Sequence, residues 1–138
     1  MDNQSPLKFI APVNPFVMTK EQAACLTAAC ELDYAGRTPL DIIDMVAARK
    51  AVLWGWPGGI MVTCIEHHHE GPILFILALF GRDFFSNIGK IYEDLHEVAR
   101  HFGAVKIGAL CREQRFAQAM IRYGAVPRGI YCEQDVQR

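Results

Sequence analysis

Residues 72–125 decide the fold of this chain, and they read PILFILALFGRDFFSNIGKIYEDLHEVARHFGAVKIGALCREQRFAQAMIRYGA. The apolar run at residues 72–80 is typical of a strand that is buried on both faces. A helical pattern, a second apolar run at residues 104–111 and another helical pattern ending at Gly124 follow it. A strand, a helix and a strand in this order predict a right-handed crossover between parallel strands. Segment 81–90 then lies where α/β folds bind phosphate-bearing ligands.

The composition is that of a globular chain. It has 138 residues, of which 51% are hydrophobic and 21% are charged, and its formal net charge is −1. This length and apolar content predict one domain, residues 1–138, with a buried core. The basic residues are scattered, which argues against a nucleic-acid partner. The longest apolar run is too short to span a bilayer and no signal-peptide pattern begins the chain, so we expect a cytoplasmic protein with no membrane contact.

The cysteines and histidines do not predict a metal site. The five cysteines are irregularly spaced and form no Cys-x-x-Cys pair, which argues against both a zinc site and a disulfide framework. The run His67, His68 and His69 is a candidate set of metal ligands. However, adjacent residues of an extended chain point to opposite sides and cannot all converge on one ion. We therefore expect a polar hairpin turn there.

The remaining elements are predicted from capping residues and periodicity. Thr19 followed by Gln22 forms a capping box that opens a helix, and Thr38 before Pro39 opens a second helix. Four further strands are predicted at residues 7–13, 51–56, 60–66 and 130–133. The fold class is therefore mixed α/β, in the order β-α-α-β-β-β-α-β-α-β. Its sheet is antiparallel at first and parallel in the middle, with helices on both faces.

This order of elements resembles the GNAT superfamily of acyl-CoA-dependent N-acyltransferases, and FAQAMIRYGAV at residues 116–126 is similar to that family's last helix. The resemblance implies transfer of an acyl group from acetyl-CoA or another acyl-CoA to an amine. It also implies that backbone groups near Leu77, Ala78 and Leu79 hold the pantetheine arm and polarise the thioester carbonyl. Amides of the following loop and helix start would hold the pyrophosphate. The residues implied for that role are Arg82, Ser86, Asn87, Ile88, Gly89 and Lys90.

The chain departs from the family's Arg/Gln-x-x-Gly-x-Gly loop pattern. Gly89 takes the position of the last glycine, Asn87 that of the first glycine and Phe84 that of the arginine. Asn tolerates positive φ better than most residues, so Asn87 is a partial substitute. Ser86 is a suitable N-cap, and this places the predicted start of the helix immediately after it.

The resemblance also implies a general acid and a general base. The family's frequent tyrosine falls on Met120, which has no proton to donate. Tyr123 is the tyrosine nearby, and Glu66 is the carboxylate available near the predicted meander. These two residues are the candidate catalytic groups.

Two other groups of residues, a pair of aromatic residues and an acidic run, are interpreted from their positions. Phe84 and Phe85 cannot both enter the core in the same direction, so one covers the sheet end, fills the cleft where pantetheine would lie, or contacts a partner. The acidic residues Glu93, Asp94 and Glu97 are interpreted as the solvated face of their helix.

A narrower resemblance is to a small GNAT-like internal virion protein of short-tailed bacteriophages. It is carried by LWGWPGG at residues 53–59 and RYGAV at residues 122–126. It implies an alternative function, that of a virion-associated or protein-binding structural protein that no longer binds CoA. The partner is an amine substrate in the first case and a protein in the second, and the second case implies a homo-oligomer or a location in the virion.

Overall fold

The computed structural model describes residues 7–33, 35–110 and 114–125. Within them lies one five-stranded sheet in the order β1-β2-β3-β4-β5. Neighbouring strands pair antiparallel up to β4, and β5 pairs parallel to β4. The elements are β1 (Ala11–Pro12), α1 (Lys20–Glu31), α2 (Pro39–Ala47), β2 (Val52–Trp56), β3 (Gly59–His68), β4 (Gly71–Gly81), α3 (Phe84–His101), β5 (Lys106–Ala109) and α4 (Gln114–Arg122). The predicted mixed α/β class is confirmed, whereas the strand predicted at residues 130–133 lies outside the described residues.

The sheet separates two hydrophobic cores, so helices cover both of its faces as predicted. On one face, α3 and α4 pack over Trp54, Met61 and Leu74. On the other face, α1 and α2 pack over Leu53 and Ile60. Successive side chains of a strand point to opposite faces, so a central strand with both faces covered must be apolar throughout. This requirement explains the continuous apolar run of β4.

Both predicted helix starts in the first half of the chain are confirmed. The hydroxyl of Thr19 accepts a hydrogen bond from the backbone N–H of Gln22, and the Gln22 side chain accepts one from the backbone of Thr19. The same reciprocal pair joins Thr38 and Asp41 at the start of α2, with Pro39 in the first turn. Each box satisfies two backbone donors that a helix cannot pair internally.

The first strand is shorter than predicted because a buried carboxylate takes over part of its hydrogen bonding. The sequence predicts a strand over residues 7–13, but only Ala11–Pro12 pairs with β2. The backbone N–H groups of residues 8–10 donate to the carboxylate of Asp94 on α3 at 3.0, 2.7 and 2.7 Å. Asp94 is 1% exposed, so the interpretation of this residue as solvated is wrong. Charge-assisted bonds to this buried carboxylate hold the N-terminal segment on α3.

Replacement of Asp94 tests this anchor. We expect Asp94→Asn to lower the free energy of unfolding by about 3 kcal/mol, because the amide replaces an acceptor oxygen with a donor beside buried N–H groups. Glu93→Gln removes the same charge from the exposed neighbouring position and should change stability by less than about 0.5 kcal/mol. Urea unfolding of both variants measures the difference, and equal losses would contradict a specific role for Asp94.

Helix α3 begins at Phe84, so the prediction of Ser86 as its N-cap is wrong. Asp83 occupies the N-cap position, and its side chain makes no capping hydrogen bond. The backbone N–H of Ser86 donates to the carbonyl of Asp83 at 3.1 Å, which places Ser86 inside the first turn. Because β4 extends to Gly81, only two residues remain between the strand and the helix. The loop predicted at residues 81–87 is therefore a tight turn followed by the first turn of α3.

Candidate functional site

Strand β4 leaves its parallel partner halfway along its length. The last β4–β5 pair joins Ile76 to Ala109, whereas β4 stays paired with β3 as far as Gly81. Among the residues that the structure describes, the β5-facing edge of residues 77–81 has no strand beside it. The sheet therefore opens between β4 and β5.

A β-bulge lies at the same position. Val62 opposes Ala78 and Thr63 opposes Ile76, so Leu77 is the extra residue of β4. Leu77 and Ala78 both pack into the core beneath α1 and α2, as expected of neighbours that flank a bulge. A bulge leaves backbone groups out of the ladder and increases the local twist. The bulge thus lies at the point where β4 and β5 part.

The opening is a cavity of about 210 Å³ whose lining consists of apolar side chains and one glycine. Burial in such a site stabilises an apolar ligand by about 25 cal/mol per Å² of surface removed from water. The lining residues are Ala29 and Leu32 of α1 and its C-cap, residues 76–81 of β4, Phe84 and Phe85 of α3, Ala109 and Leu110 at the end of β5, and Phe116 of α4.

The three residues predicted on β4 come together at this cavity. Leu77, Ala78 and Leu79 all form part of its wall, directly after the point where β5 ends. Their backbone lies on the open edge, which is the geometry that an extended ligand with amide groups needs. Their role in holding a cofactor stays a prediction.

The residues predicted on α3 do not form one surface, because they span more than one turn of a helix. Ser86 is exposed in the first turn. The side-chain amide of Asn87 donates to the carbonyl of Asp83 at 3.1 Å. Ile88 is buried in the core between α3 and the sheet. These three side chains do not line the cavity.

Gly89 and Lys90 have packing partners of their own. A Cβ atom on Gly89 would lie 3.3 Å from the hydroxyl of Tyr123, so the glycine makes room for that side chain. The ring of Tyr123 stacks on Tyr92 with 5.1 Å between centroids. Nζ of Lys90 lies 5.4 Å from the centre of the Phe9 ring. Tyr123, the predicted acid, therefore packs on α3 outside the cavity.

Arg82 is engaged at the turn between β4 and α3. Its guanidinium lies 3.5 Å from the carboxylate of Glu21, and both side chains are largely exposed. Its backbone N–H donates to the carbonyl of Gly58 at 3.0 Å, and Glu21 accepts from the backbone N–H of Gly58 at 3.0 Å. This network joins the start of α1 to the ends of β2 and β4, and it reduces the positive charge that Arg82 offers to a ligand.

Glu66, the predicted base, lies away from the cavity. Its carboxylate pairs with Nε2 of His68 at 3.0 Å on the exposed end of β3. Glu66 is three positions from Thr63, which is opposite the start of the bulge, and this is a distance of about 10 Å along the strand. Met120, at the position of the family's acid, is 6% exposed. The catalytic roles of Glu66 and Tyr123 stay predictions.

Two residues of α4 were not identified from the sequence. Phe116 lines the cavity, and its ring lies 5.4 Å from that of Phe84. The guanidinium carbon of Arg115 lies 4.0 Å from the centre of the Phe85 ring. The spacing of Phe116 from Ala119 and Met120, three and four residues later, is a signal that could have placed Phe116 on the buried face. Phe84 and Phe85 both line the cavity, and Phe84 is also buried in the core between α3 and the sheet.

The described thiols are held in their neutral form. Burial, with a smaller contribution from the Asp33 carboxylate, raises the pKa of Cys30 to about 11. Burial also raises the pKa of Cys25 and that of Cys64. A raised pKa lowers the thiolate fraction, and the thiolate is the nucleophile.

Alkylation at a single cysteine tests this environment. At pH 8 we expect iodoacetamide to modify Cys30 about 100-fold more slowly in the folded protein than in urea, since its pKa of about 11 lies two units above the ordinary 9.0. Below pH 11 the rate in the folded protein should rise about tenfold per pH unit. Mass spectrometry of the Cys30 peptide reads the rate, and equal rates in both states would contradict the assignment.

In residues 7–33, 35–110 and 114–125, no group of three His, Cys, Asp or Glu side chains could hold a metal ion. Within the same ranges, every helix is too short or too polar to cross a membrane.

Solved structures share this architecture. A probable acetyltransferase superimposes with a TM-score of 0.65 at 7% identity, over 94% of this chain and 97% of its own. A Trypanosoma brucei acetyltransferase superimposes with a TM-score of 0.60 at 16% identity, over 92% of this chain and 98% of its own. An aminoglycoside 6'-N-acetyltransferase from Acinetobacter baumannii superimposes with a TM-score of 0.59 at 12% identity, over 93% of this chain and 98% of its own. In sequence, no family model and no curated protein matches.

At these low sequence identities the similarity to the solved structures establishes the fold alone. The similarity to bacteriophage virion proteins and the extent of the domain stay predictions. The five-stranded order, the bulge in β4 and the cleft between β4 and β5 are parts of one arrangement, and solved acetyltransferases superimpose on more than nine-tenths of the chain. The chain therefore has a GNAT-like fold, as its order of elements predicts.

Proposed function

We propose that this protein transfers an acyl group from an acyl-CoA to an amine. The observation that carries the proposal is the separation of β4 from β5 beside the bulge at Leu77, which opens an apolar cavity along a free strand edge. The acetyltransferases that share the fold support the same activity class.

The residues of the cavity fit such a cofactor. From Ile76 to Gly81 the free edge spans about 17 Å, and its backbone N–H and C=O groups can pair with the amides of an extended pantetheine arm. The apolar walls suit the methylene groups and the acyl group. When bound, acyl-CoA supplies a thioester whose carbonyl carbon is open to attack by an amine.

The mouth of the cavity suits the charged end of the cofactor. The first turn of α3 lies there, and the backbone N–H groups of Phe84 and Phe85 have no acceptor within the helix. The side chain of Asp83 makes no hydrogen bond to that turn. The positive end of the helix dipole would attract a phosphate there, against the repulsion of the Asp83 carboxylate at the N-cap position.

The chain would contribute positioning and polarisation to the chemistry. The bulge releases backbone groups of β4 from the ladder with β3, and a released N–H near Leu77 can donate to the carbonyl oxygen as negative charge develops on it. The apolar walls exclude water and strengthen this hydrogen bond. Glu66 could receive the proton of the amine only through an intervening group, since it does not line the cavity.

Binding of acetyl-CoA tests the proposal. At 100 times its dissociation constant, acetyl-CoA should stabilise the folded protein by about 2.7 kcal/mol, measured as a shift in the unfolding transition. Leu110→Trp narrows the cavity and should weaken binding at least tenfold. The matched control is Ile121→Trp, because Ile121 is exposed to a similar extent (48%, against 51% for Leu110) and does not line the cavity.

The release of free CoA thiol in the presence of an amine then measures turnover. The absence of any stabilisation at millimolar acetyl-CoA would overturn the proposal and favour the alternative of a protein-binding role without CoA. Equal effects of the two tryptophan variants would show that CoA binds elsewhere. Binding without turnover across amines of different classes would limit the function to CoA binding.

A further inference from the structure

The wall of the cavity carries a cation that none of the predicted roles uses. Arg115 lies near the start of α4, and its guanidinium carbon is 4.0 Å from the centre of the Phe85 ring. Phe85 itself lines the cavity. A guanidinium within about 6 Å of a ring centroid is attracted to the face of the ring. The contact therefore holds a permanent positive charge against the wall of the cavity.

The other nearby cations are less available to a ligand there. Arg82 lies 3.5 Å from the carboxylate of Glu21. Lys90 lies over the ring of Phe9, and neither of these two residues lines the cavity. In the part of the chain that the structure describes, Arg115 forms no ion pair with a carboxylate. Its charge is thus uncompensated among the described residues.

The lining of the cavity is apolar where β4 and β5 part, at Ile76 and Ala109, and the guanidinium of Arg115 lies over the ring of Phe85, another lining residue. A ligand with an apolar acyl end and a phosphate-bearing end could place its acyl end against the apolar lining and its phosphates next to Arg115. The planar guanidinium can donate two parallel hydrogen bonds to phosphate oxygens.

We propose that Arg115 binds the pyrophosphate of the acyl-CoA ligand and that Phe85 is the positioning residue that holds its guanidinium at the cavity. This inference rests on the proposed function. The arginine position of the family's loop pattern is occupied by Phe84. The chain supplies the missing charge from α4 instead, next to Phe85, the residue that follows that position.

Calorimetric titration with two probes tests the proposal. CoA carries the phosphates, whereas pantetheine has the same thiol arm without them. We expect Arg115→Gln to weaken the binding of CoA at least tenfold and that of pantetheine less than twofold. Arg115→Lys should recover part of the CoA affinity. Arg122→Gln removes a charge from the other end of the same helix and should change neither affinity by more than twofold. Phe85→Leu keeps the wall of the cavity apolar. It should weaken the binding of CoA several-fold and the binding of pantetheine less than twofold.

Salt provides a second readout, which does not require measurable pantetheine binding. Salt screens a charge–charge contact, so the affinity for CoA should depend less on ionic strength in Arg115→Gln than in the wild type. Unchanged CoA affinity and salt dependence in Arg115→Gln would overturn this inference and leave the proposed function standing. Equal weakening of both probes would show a structural effect and also overturn it. A wild-type protein that does not bind CoA would overturn the proposed function itself.

Discussion

The incomplete pairing of β4 is the constraint on which the candidate site depends. On one side β3 pairs with β4 along its whole length, and the bulge at Leu77 adds local twist. On the other side β5 is four residues long and ends at Ala109. Backbone groups in a protein interior are costly unless they are paired. The open half of β4 is therefore the place where the amides of a ligand would add the most stability.

The anchor at Asp94 keeps α3 in place beside this opening. The carboxylate accepts three backbone hydrogen bonds from residues 8–10, while Ile91 and Leu95, on either side of it, are buried against the sheet. The N-terminal segment, the helix and the sheet thus form one packed unit. Because Phe84 and Phe85 belong to the first turn of that helix, the position of the cavity wall depends on the same packing.

Several glycines of this chain make room for aromatic rings. Trp56 lies across neighbouring strands, where a Cβ atom would be 2.1 Å from its ring at Gly59 and 3.0 Å from it at Gly81. A Cβ atom on Gly89 would lie 3.3 Å from the hydroxyl of Tyr123. In a sequence, a glycine that admits a ring cannot be distinguished from one that admits a phosphate, because both give only close approach to the backbone. For that reason the glycine of the loop pattern does not by itself indicate a phosphate site.

The sequence alone determined the mixed sheet, the antiparallel meander, the parallel crossover, the capping box at Thr19 and the helix start at Thr38. These features depend on local periodicity and on residues three or four positions apart, and a single sequence displays both directly. The tertiary structure decided the length of β1, since Asp94 lies more than eighty residues from the amides it binds. It also decided the composition of the cavity, to which α1, β4, α3 and α4 each contribute side chains. Contacts between residues so far apart arise only when the sheet brings those elements together, and no local pattern specifies them.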